Sequence, residues 1–423
     1  MNAPIQAIRG MNDILPEETP RWQHLEQLTR DWLSAWGYHE IRTPIIEQTG
    51  LFKRAIGEVT DIVEKEMYSF TDALNGEQLS LRPEGTAACV RAVVQHNLLY
   101  QSAQRLWYSG PMFRHERPQK GRYRQFHQIG VEAMGYADAD MDAEHIVMTA
   151  DLWRRIGLGG IRLELNTLGD SDARARFRNR LIDWFESHAD QLDDDARRRL
   201  HTNPLRILDS KNPAMQALIE AAPRLEHDLD DAARAHFETV QRIVRAHDIE
   251  FRLNHRLVRG LDYYNYTVFE WITDELGAQG TVCAGGRYDG LIGQIGGKPH
   301  PACGYAIGIE RLLALMEHAG IVPVDAGPDA YVVFAGTHAE AFAWQSARSL
   351  REAGLRVVLH CGGGSFKSQM KKADASGARF ACIIGDDEAA SGQISLKPLR
   401  DAREQARMPV EHVISTLLSK DCA

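Results

Sequence analysis

The chain has 423 residues, of which 44% are hydrophobic and 25% charged, an ordinary composition for a soluble globular protein of two or three domains. Its net charge of −9 excludes a whole-molecule attraction to nucleic acid, so any RNA contact has to come from local basic patches. Neither an export signal nor an apolar segment of membrane length occurs, and we therefore expect a cytoplasmic protein without a membrane partner.

The spacing of cysteine and histidine argues against a metal centre and against a disulfide framework. The six cysteines are scattered without a C-x-x-C pair, so we expect reduced thiols and no zinc. The seventeen histidines show no H-E-x-x-H spacing, and we predict no metal ligands among them.

The first predicted element is an amphipathic helix that opens at Pro16 and closes at Gly37. Three tryptophans lie on its apolar stripe and need a large partner surface. The stripe consists of Trp22, Leu25, Leu28, Trp32, Leu33 and Trp36. The next segment, Tyr38 to Ile46, is predicted as one strand, and its Pro44 places it at a sheet edge or a subunit contact.

A further strand, Leu79 to Arg82, leads to a helix that begins near Thr86, and we expect the Thr86 hydroxyl to cap that helix. The segment Met112 to Glu132 is then predicted as a β-hairpin with a basic turn. Because side chains alternate along a strand, its second strand has a polar and an apolar face. The polar face carries Arg124, Phe126, Gln128, Gly130 and Glu132, and the other carries His127, Ile129, Val131 and Ala133.

The polar face of this hairpin predicts a binding surface for an anion, with Arg114 and Glu116 of the preceding strand on the same side. A solvated charge run is the alternative. Two residues favour the binding surface. Gly130 lies where a ligand could approach the backbone closely, and Phe126 would be a needlessly exposed ring unless something stacked on it.

The remainder of the chain predicts a helical insertion and a separate tail. Residues 170–248 are rich in Arg, Asp and Ala with helical patterns, and strands return at Phe251 to Leu253 and Tyr266 to Ile272. The glycine-rich residues 285–297 do not match G-x-G-x-x-G, so a Rossmann site is not predicted.

A linker at residues 322–330 precedes the tail, for which we expect a small α/β domain with a mostly parallel sheet. Its predicted strands are Tyr331 to Ala335, Arg356 to His360, Phe380 to Ile384 and Gln393 to Leu396. The segment 360–372 resembles a phosphate loop but lacks the Gly-Lys pair, so we interpret it as a helix capped by a serine.

Together these features resemble the histidyl-tRNA synthetases, a family of class II aminoacyl-tRNA synthetases, over essentially the whole chain. Motif 1, which builds the dimer interface in the family, is similar to the tryptophan-striped helix and the strand ending at Pro44. The other matching segments are Phe113 to Glu116 for motif 2, Gly308 to Leu312 for motif 3, and Leu257 to Trp271 and Ala284 to Ile292 for the two histidine signatures. The HIGH and KMSKS motifs of class I are absent.

The resemblance implies an α/β (α+β) fold with a class II catalytic core on an antiparallel sheet. The core would occupy residues 1–169 and 251–325, a helical insertion residues 170–250, and an anticodon-binding α/β domain residues 328–423. The implied activity joins L-histidine to the 3′ end of tRNA(His) through histidyl-adenylate, with release of pyrophosphate. The implied partners are ATP with Mg²⁺, histidine, tRNA and a second copy of the chain, but not DNA.

The implied chemistry explains why arginines recur. Attack of the histidine carboxylate on the α-phosphate of ATP gathers negative charge, which arginine stabilises by bidentate, charge-assisted hydrogen bonds. The resemblance implies that Arg114 and Arg259 hold the α-phosphate and that Arg311 reaches the distal part of ATP. It also implies that Glu116 contacts adenine and that Phe126 stacks on the base. Each charged residue has an alternative role in a surface ion pair.

Selection of histidine requires partners for both ring nitrogens. The resemblance implies that Glu132 and Tyr264 are this pair, which would reject a ring lacking those nitrogens by a factor on the order of 10⁴. The other implied histidine contacts are Glu84, Thr86, Gln128, Tyr263 and Tyr288. Glu84 could also be an acid favoured by the dipole of a helix.

The motif 2 turn is similarly placed to meet the acceptor end of tRNA, through Arg117, Gln119, Lys120 and Arg122. Positive charge for phosphate contacts in the tail comes from Lys367, Lys371, Lys372 and Arg379, which could also be solvated helix charges.

The alternative function is that of a catalytically inactive regulatory or RNA-sensing relative. Such relatives have lost the tail or the arginines, whereas this chain keeps Arg114, Arg259, Arg311 and the tail.

Overall fold

The computed structural model describes residues 4–57, 60–119, 121–258, 261, 263–277, 280–321 and 327–419. The chain divides into two units, Met1–Pro323 and Val324–Ala423, and each has a hydrophobic core of its own. The first five residues of the predicted linker, 322–326, lie outside the described part of the chain.

Sixteen strands are described. Those of the first unit are β1 (His39–Glu40), β2 (Ile46–Gln48), β3 (Ser69–Thr71), β4 (Gln78–Leu81), β5 (Gln104–Phe113), β6 (Gln125–Met134), β7 (Arg162–Thr167), β8 (Phe251–Leu253), β9 (Asn265–Ile272), β10 (Thr281–Arg287) and β11 (Ala302–Gly308). Those of the second unit are β12 (Ala330–Phe334), β13 (Val357–Leu359), β14 (Phe380–Ile384), β15 (Gln393–Pro398) and β16 (Ala406–Pro409).

Fourteen α-helices are described. The first unit contains α1 (Thr19–Ala35), α2 (Thr49–Ile56), α3 (Thr86–Gln95), α4 (Ala139–Ile156), α5 (Ser171–Glu186), α6 (Asp194–Arg199), α7 (Gln216–Glu220), α8 (Asp231–Ala246), α9 (Leu291–Gln294) and α10 (Ile309–His318). The second unit contains α11 (Ala339–Glu352), α12 (Phe366–Ala375), α13 (Asp386–Ser391) and α14 (Val410–Leu418). In the described part of the chain, no helix is both long and apolar enough to cross a membrane.

The first unit is built on an eight-stranded sheet with the order β1-β5-β6-β11-β10-β9-β7-β8. Its six central strands are antiparallel, and only the outer pairs β1–β5 and β7–β8 are parallel. One core packs α1, α4, α8 and α10 against this sheet, and another contains α2, α3 and helices α5 to α7. The predicted antiparallel core sheet is therefore confirmed.

The tryptophan-striped helix is confirmed as α1, although it begins at Thr19 rather than at Pro16. Trp32 is fully buried, whereas Trp22 and Trp36 pack half-buried against the same core. The chain leaves the helix at Gly37, whose φ of 77° is one that glycine adopts without strain.

The prediction of a single strand from Tyr38 to Ile46 is wrong, because this segment forms β1 and the start of β2 in two different sheets. Pro44 has no N–H to donate to a ladder. The buried Arg82 guanidinium donates a hydrogen bond to the Thr43 carbonyl at 3.3 Å, and the Arg82 backbone N–H donates to the Ile45 carbonyl at 2.9 Å. These contacts pull the middle of the segment out of the large sheet.

The helical insertion between β7 and β8 contains α5 to α8. Three of these helices begin with an aspartate whose carboxylate accepts the backbone N–H three residues later, which satisfies an otherwise unpaired donor. These aspartates are Asp170, Asp193 and Asp230. Phe177, Leu181 and Phe185 of α5 are buried and join the core that also contains α3.

The second unit has a five-stranded sheet with the order β13-β12-β14-β15-β16. The prediction of a mostly parallel sheet is wrong, since two of its pairs are parallel and two antiparallel. Only the six-residue helix α13 separates β14 from β15, and a parallel crossover needs about a dozen residues. The serine-capped helix is confirmed, because the Ser365 side chain accepts the Ser368 N–H at 3.3 Å.

Candidate active site

A cavity of about 280 Å³ lies on the sheet face that carries the polar side chains of β6. It gathers residues from the start of α3 and the segment before it, from β5, β6 and the turn between them, and from the segment before β9 through to α10. Predicted site residues that line it are Glu84, Thr86, Arg114, Glu116, Arg122, Phe126, Gln128, Tyr263, Tyr264 and Arg311. Arg259 and Lys120 lie outside the described residues.

Backbone carbonyls orient two of the cavity arginines. Arg114 Nε donates to the Pro83 carbonyl at 2.8 Å, and the Arg114 guanidinium lies 5.2 Å from the centre of the Phe126 ring. The Arg311 guanidinium donates to the Gly121 carbonyl at 3.1 Å and to the Thr281 carbonyl at 2.6 Å. Motif 3 and the motif 2 turn are thus tied together by one side chain.

The arginines of the cavity disfavour one another's charge. Burial lowers the pKa of Arg311, and the nearby charges of Arg114 and Arg122 lower it further. Burial also lowers the pKa of Arg114, with a further contribution from Arg122. A cluster of guanidinium groups that repel one another in a partly buried site is stabilised when an anion binds between them.

Arg122 lies at the cavity, although it was predicted to meet tRNA from the turn. Its guanidinium forms an ion pair with Glu116 and lies 4.0 Å from a carboxylate oxygen of Glu66. Arg117 and Gln119, by contrast, are exposed in the turn.

Glu132 is buried behind the cavity wall among three hydroxyl groups. Its Oε1 accepts the Thr86 hydroxyl at 2.8 Å and the Tyr108 hydroxyl at 2.9 Å, and its Oε2 accepts the Tyr288 hydroxyl. Burial raises the pKa of this carboxyl to about 8, while the three hydroxyl donors oppose the rise. Neither Glu132 nor Tyr288 is among the described residues that line the cavity.

Glu84, rather than the predicted Thr86 hydroxyl, caps helix α3. The Glu84 carboxylate accepts the backbone N–H of Thr86 at 2.6 Å and that of Ala87 at 2.9 Å. Because the Thr86 hydroxyl is engaged by Glu132, it is turned away from the helix end. Burial raises the pKa of Glu84, and the two N–H groups oppose this shift.

Gly130 makes room for a side chain of the protein, not for a ligand as the sequence suggested. A Cβ atom at Gly130 would lie 2.1 Å from Cζ of Tyr108, and one at Gly85 would lie 2.0 Å from Cε2 of the same ring. Tyr108 lines the cavity but was not predicted as a site residue.

Gly304, directly opposite Glu132 in the sheet, serves a similar purpose, because a Cβ there would lie 1.8 Å from Glu132 Oε2. Sequence patterns gave no signal for either Tyr108 or Gly304.

The three predicted tyrosines pack against one another. The ring centres of Tyr263 and Tyr264 are 4.7 Å apart, and that of Tyr263 is 5.5 Å from Tyr288. Arg174 of the insertion donates to the Tyr264 carbonyl at 2.7 Å. Because this contact comes from α5, the insertion helps to position the tyrosines beside the cavity.

Glu310 of motif 3 binds this motif to strand β6 through His127. The Glu310 carboxylate accepts the His127 backbone N–H at 2.9 Å and lies 2.9 Å from Nδ1 of the same histidine. Gln128 and Arg311, which directly follow His127 and Glu310 in the chain, both line the cavity.

The comparisons with known proteins agree with this geometry. The family model described as histidyl-tRNA synthetase matches residues 10–312, and the model of an anticodon binding domain matches residues 320–420. The chain belongs to the histidyl-tRNA synthetase family. The predictions of this family, of its class II fold and of an aminoacyl-tRNA ligase for histidine are therefore confirmed.

Individual relatives of this family extend over the whole chain. A histidine–tRNA ligase of Thiobacillus denitrificans is 67% identical over 417 residues, covering 99% of this chain and 99% of its own. One from Nitrosomonas europaea is 67% identical over 408 residues, covering 96% of this chain and 97% of its own.

Among solved structures, the apo histidyl-tRNA synthetase of S. aureus superposes with a TM-score of 0.83 at 34% identity, covering 98% of this chain and 100% of that one. A Bacillus halodurans protein described as an ATP phosphoribosyltransferase regulatory subunit/histidyl-tRNA synthetase has a TM-score of 0.65 at 22% identity, which shows a common fold only. The high identity to histidine–tRNA ligases supports the enzyme over the inactive alternative.

Proposed function

We propose that the cavity binds ATP and histidine side by side and that histidyl-adenylate forms there before histidine passes to tRNA(His). The observation that carries this proposal is the convergence of Arg114, Arg122 and Arg311 beside Glu84 and the tyrosines. One part of the cavity is cationic, as triphosphate requires, and its neighbour is aromatic and acidic, as an imidazole and an ammonium group require.

Arg114 and Arg311 act on phosphate in this proposal, and Arg259 remains a predicted third donor. Carbonyls hold both described guanidinium groups by some of their N–H donors, so the reacting phosphate meets donors that are already oriented. Such donors stabilise the charge of the transition state without reorganising at the moment of reaction. Phe126 and Glu116 stay the proposed contacts of adenine.

Histidine is held at both of its ends. Glu84, Thr86 and Gln128 would receive the ammonium group, and Tyr263 would pack against the substrate. The ring nitrogens would meet Tyr264 and Glu132. In its ionised form, which prevails above the pKa of about 8, the Glu132 carboxylate accepts about four hydrogen bonds. The described residues occupy three of these positions, which leaves one on Oε2 of Glu132 for an imidazole N–H.

The carboxylates of the cavity fit the Mg²⁺ that accompanies ATP in the proposal. This ion is usually held by one or two carboxylates together with phosphate oxygens and water. Glu270 and Glu310 line the cavity, and Glu310 already accepts the His127 N–H. Both carboxylates are the proposed ligands of the ion, which would neutralise phosphate charge; Glu270 also accepts the Thr281 hydroxyl at 3.1 Å.

A second copy of the chain is the proposed partner of the small sheet β2-β4-β3. The pairings Ile46–Leu81 and Phe70–Leu79 put these four side chains on one face of it. All four are half-buried or exposed, and Leu74 beside them is 96% exposed. An apolar face of this kind is typical of a protein interface. Sedimentation velocity should give the mass of two chains, and Ile46→Asp should shift it toward one, unlike Leu253→Asp on β8.

Contacts with tRNA are proposed for both units. The exposed Arg117 and Gln119 would meet the acceptor end, and the exposed Lys367, Lys371 and Lys372 of α12 would meet phosphates near the anticodon. Arg379 is a weaker candidate, because its guanidinium already lies 3.4 Å from Asp329. We also propose that the enzyme acts in the cytoplasm, where its tRNA substrate would be present.

Histidine-dependent exchange of pyrophosphate into ATP tests the assignment of the cavity. We expect Arg114→Ala to slow this exchange by roughly 10²-fold or more, because a donor to the transition-state charge is lost. Arg162→Ala, at a surface ion pair with Asp274, is the matched control and should exchange at the normal rate. A normal rate for Arg114→Ala would exclude the assigned role, and equal stimulation by another amino acid would exclude the histidine site.

A further inference from the structure

Three hydroxyl groups of the described residues donate to Glu132. One of them belongs to Tyr108, which lies on strand β5. It lies directly opposite Gly130 of β6. Its hydroxyl donates to Glu132 Oε1 at 2.9 Å and lies 3.4 Å from the Thr86 hydroxyl. The side chain is buried, yet it forms part of the cavity wall.

Two glycines define the place of the Tyr108 ring. A Cβ atom at either Gly85 or Gly130 would overlap the ring, at 2.0 Å and 2.1 Å from its nearest carbon. Real Cβ atoms do not approach so closely, so the ring fills the space that both glycines leave open. Gly85 is also the residue before α3, and Gly130 lies two residues before Glu132. The ring is therefore fixed by the same segments that carry the proposed histidine contacts.

The hydroxyl of Tyr108 decides where the carboxylate of Glu132 points. Oε1 takes two donors, from Thr86 and Tyr108, whereas Oε2 takes the Tyr288 hydroxyl and retains an acceptor position. Loss of the Tyr108 donor would free Oε1 and allow the carboxylate to turn. The carboxylate would also be less stable as an anion, because it would lose one donor while burial and the like charge of Glu84 continue to oppose ionisation.

We propose that Tyr108 is a positioning residue for histidine selection, whose hydroxyl orients Glu132 so that its remaining acceptor position meets the imidazole N–H. This inference rests on the proposed role of Glu132. Tyr108 acts through that carboxylate, so removing its hydroxyl should weaken histidine binding and leave ATP binding unchanged.

The test is Tyr108→Phe, which keeps the ring between the two glycines and removes only the hydroxyl. Because hydrogen bonds to charged groups are strong, we expect the KM for histidine in pyrophosphate exchange to rise roughly 10-fold or more. The kcat and the KM for ATP should stay near their normal values. Tyr305→Phe on β11 is the matched control, since its buried hydroxyl has no hydrogen-bond partner among the described residues.

The pH profile separates positioning from a general packing effect. Loss of a donor to the carboxylate raises its pKa. The KM for histidine should fall as Glu132 ionises, so in Tyr108→Phe this fall should occur at a higher pH. The other titratable groups near the carboxylate are Glu84, Cys89, Tyr263, Tyr288 and Tyr305, which Tyr108→Phe leaves in place. Tyr305→Phe should leave the profile where it is.

Two further variants distinguish the role of Tyr108 from the role of Glu132. Gly130→Ala keeps the hydroxyl but displaces the ring, and it should raise the KM for histidine as Tyr108→Phe does. If Glu132→Gln raises this KM while Tyr108→Phe leaves the KM and its pH profile unchanged, the inference about Tyr108 is wrong and the role of Glu132 stands. If Glu132→Gln leaves the KM for histidine unchanged, the proposed role of Glu132 is wrong, and the inference falls with it.

Discussion

Glu132 is held by hydroxyl groups rather than by a cation. It is 1% exposed, its three described donors are neutral, and the neighbouring Glu84 carries charge of the same sign. Desolvation therefore outweighs the donors and leaves the pKa of the carboxyl at about 8. A binding site for an imidazole N–H gains from this arrangement, because the acceptor has no internal cation to compete with the substrate.

This buried carboxyl should make the protein less stable as pH rises. An unfolded Glu titrates near a pKa of about 4.3. With the folded pKa raised to about 8, the folded state binds the extra proton between roughly pH 4.5 and 8. The free energy of unfolding should therefore fall across this window, and Glu132→Gln should remove that part of the fall in urea titrations at pH 5, 6.5 and 8.

Two comparisons complete this measurement. His145, whose pKa burial lowers to about 3, gives a slope of the opposite sign at lower pH, and it cancels because both proteins contain it. Glu317→Gln, at a largely exposed side chain, should retain the normal pH dependence. Equal slopes for Glu132→Gln and the unchanged protein would mean that the carboxyl is ionised throughout.

At this scale the sequence predicted well what strand alternation controls. Phe126 and Gln128 do line the cavity because they share a face of β6. Tyr108 was not predicted as a site residue, because the place of its ring depends on Gly85 and Gly130, which belong to other segments of the chain. The sequence of one strand does not show which residues of another strand lie opposite it. Arg122 was assigned to tRNA because nothing in the turn shows that Glu116 folds back onto it.

A buried ion pair joins helix α4 to strand β10 directly before Tyr288. Arg287 donates to Asp142 at 2.6 Å, and His236 of α8 lies 2.8 Å from the same carboxylate. Although burial would raise the pKa of Asp142, His236 and Arg287 bring it down to about 2. The Asp142 carboxylate of α4 therefore connects the catalytic core to the helical insertion, through His236, and to the histidine signature, through Arg287.

Removing this carboxylate should be costly, because it leaves a buried arginine without its partner. We expect Asp142→Ala to lower the free energy of unfolding by about 3–5 kcal/mol in urea titrations. Asp274→Ala breaks a surface ion pair with Arg162 in which the Asp274 side chain is 79% exposed, and it should leave the free energy of unfolding near its normal value. Similar losses from both variants would contradict a structural role for the buried pair.

The limits of prediction at the element scale have identifiable physical causes. Helix α1 was predicted because its apolar period is long and regular. The break between β1 and β2 was not predicted, because it depends on Arg82, far along the chain, which donates to the Thr43 carbonyl. The short strand β16 was missed since Ala406–Pro409 has no apolar alternation, and the sheet direction in the tail was decided by the length of α13.

The two units have separate hydrophobic cores, and the cavity belongs to the first alone. Their order along the chain followed from motif order, whereas the neighbours in the large sheet could not be predicted without pairing information. The sequence therefore indicated many of the residues that line the cavity, but not that β11 would lie between β6 and β10.

Removal of the second unit should separate two steps of the reaction. A chain ending at residue 327 keeps every described residue of the cavity, so histidine-dependent pyrophosphate exchange should persist. Transfer of histidine to tRNA should fall strongly, because the anticodon-binding domain is lost. Exchange and aminoacylation measured on the same preparation provide the check, and undiminished aminoacylation would contradict the role of the tail.

Strand β11 also sets the order in which the enzyme can be completed on the ribosome. In the described sheet it alone joins the block β1-β5-β6 to the block β10-β9-β7-β8, yet β6 ends at Met134 and β11 begins at Ala302. At 5–20 residues per second, the nascent chain carries β6 with an unpaired edge for roughly 10–30 s. During that interval the edge is open to pairing with other chains. Newly made copies therefore depend on rapid synthesis, or on protection of that edge, to reach the active state.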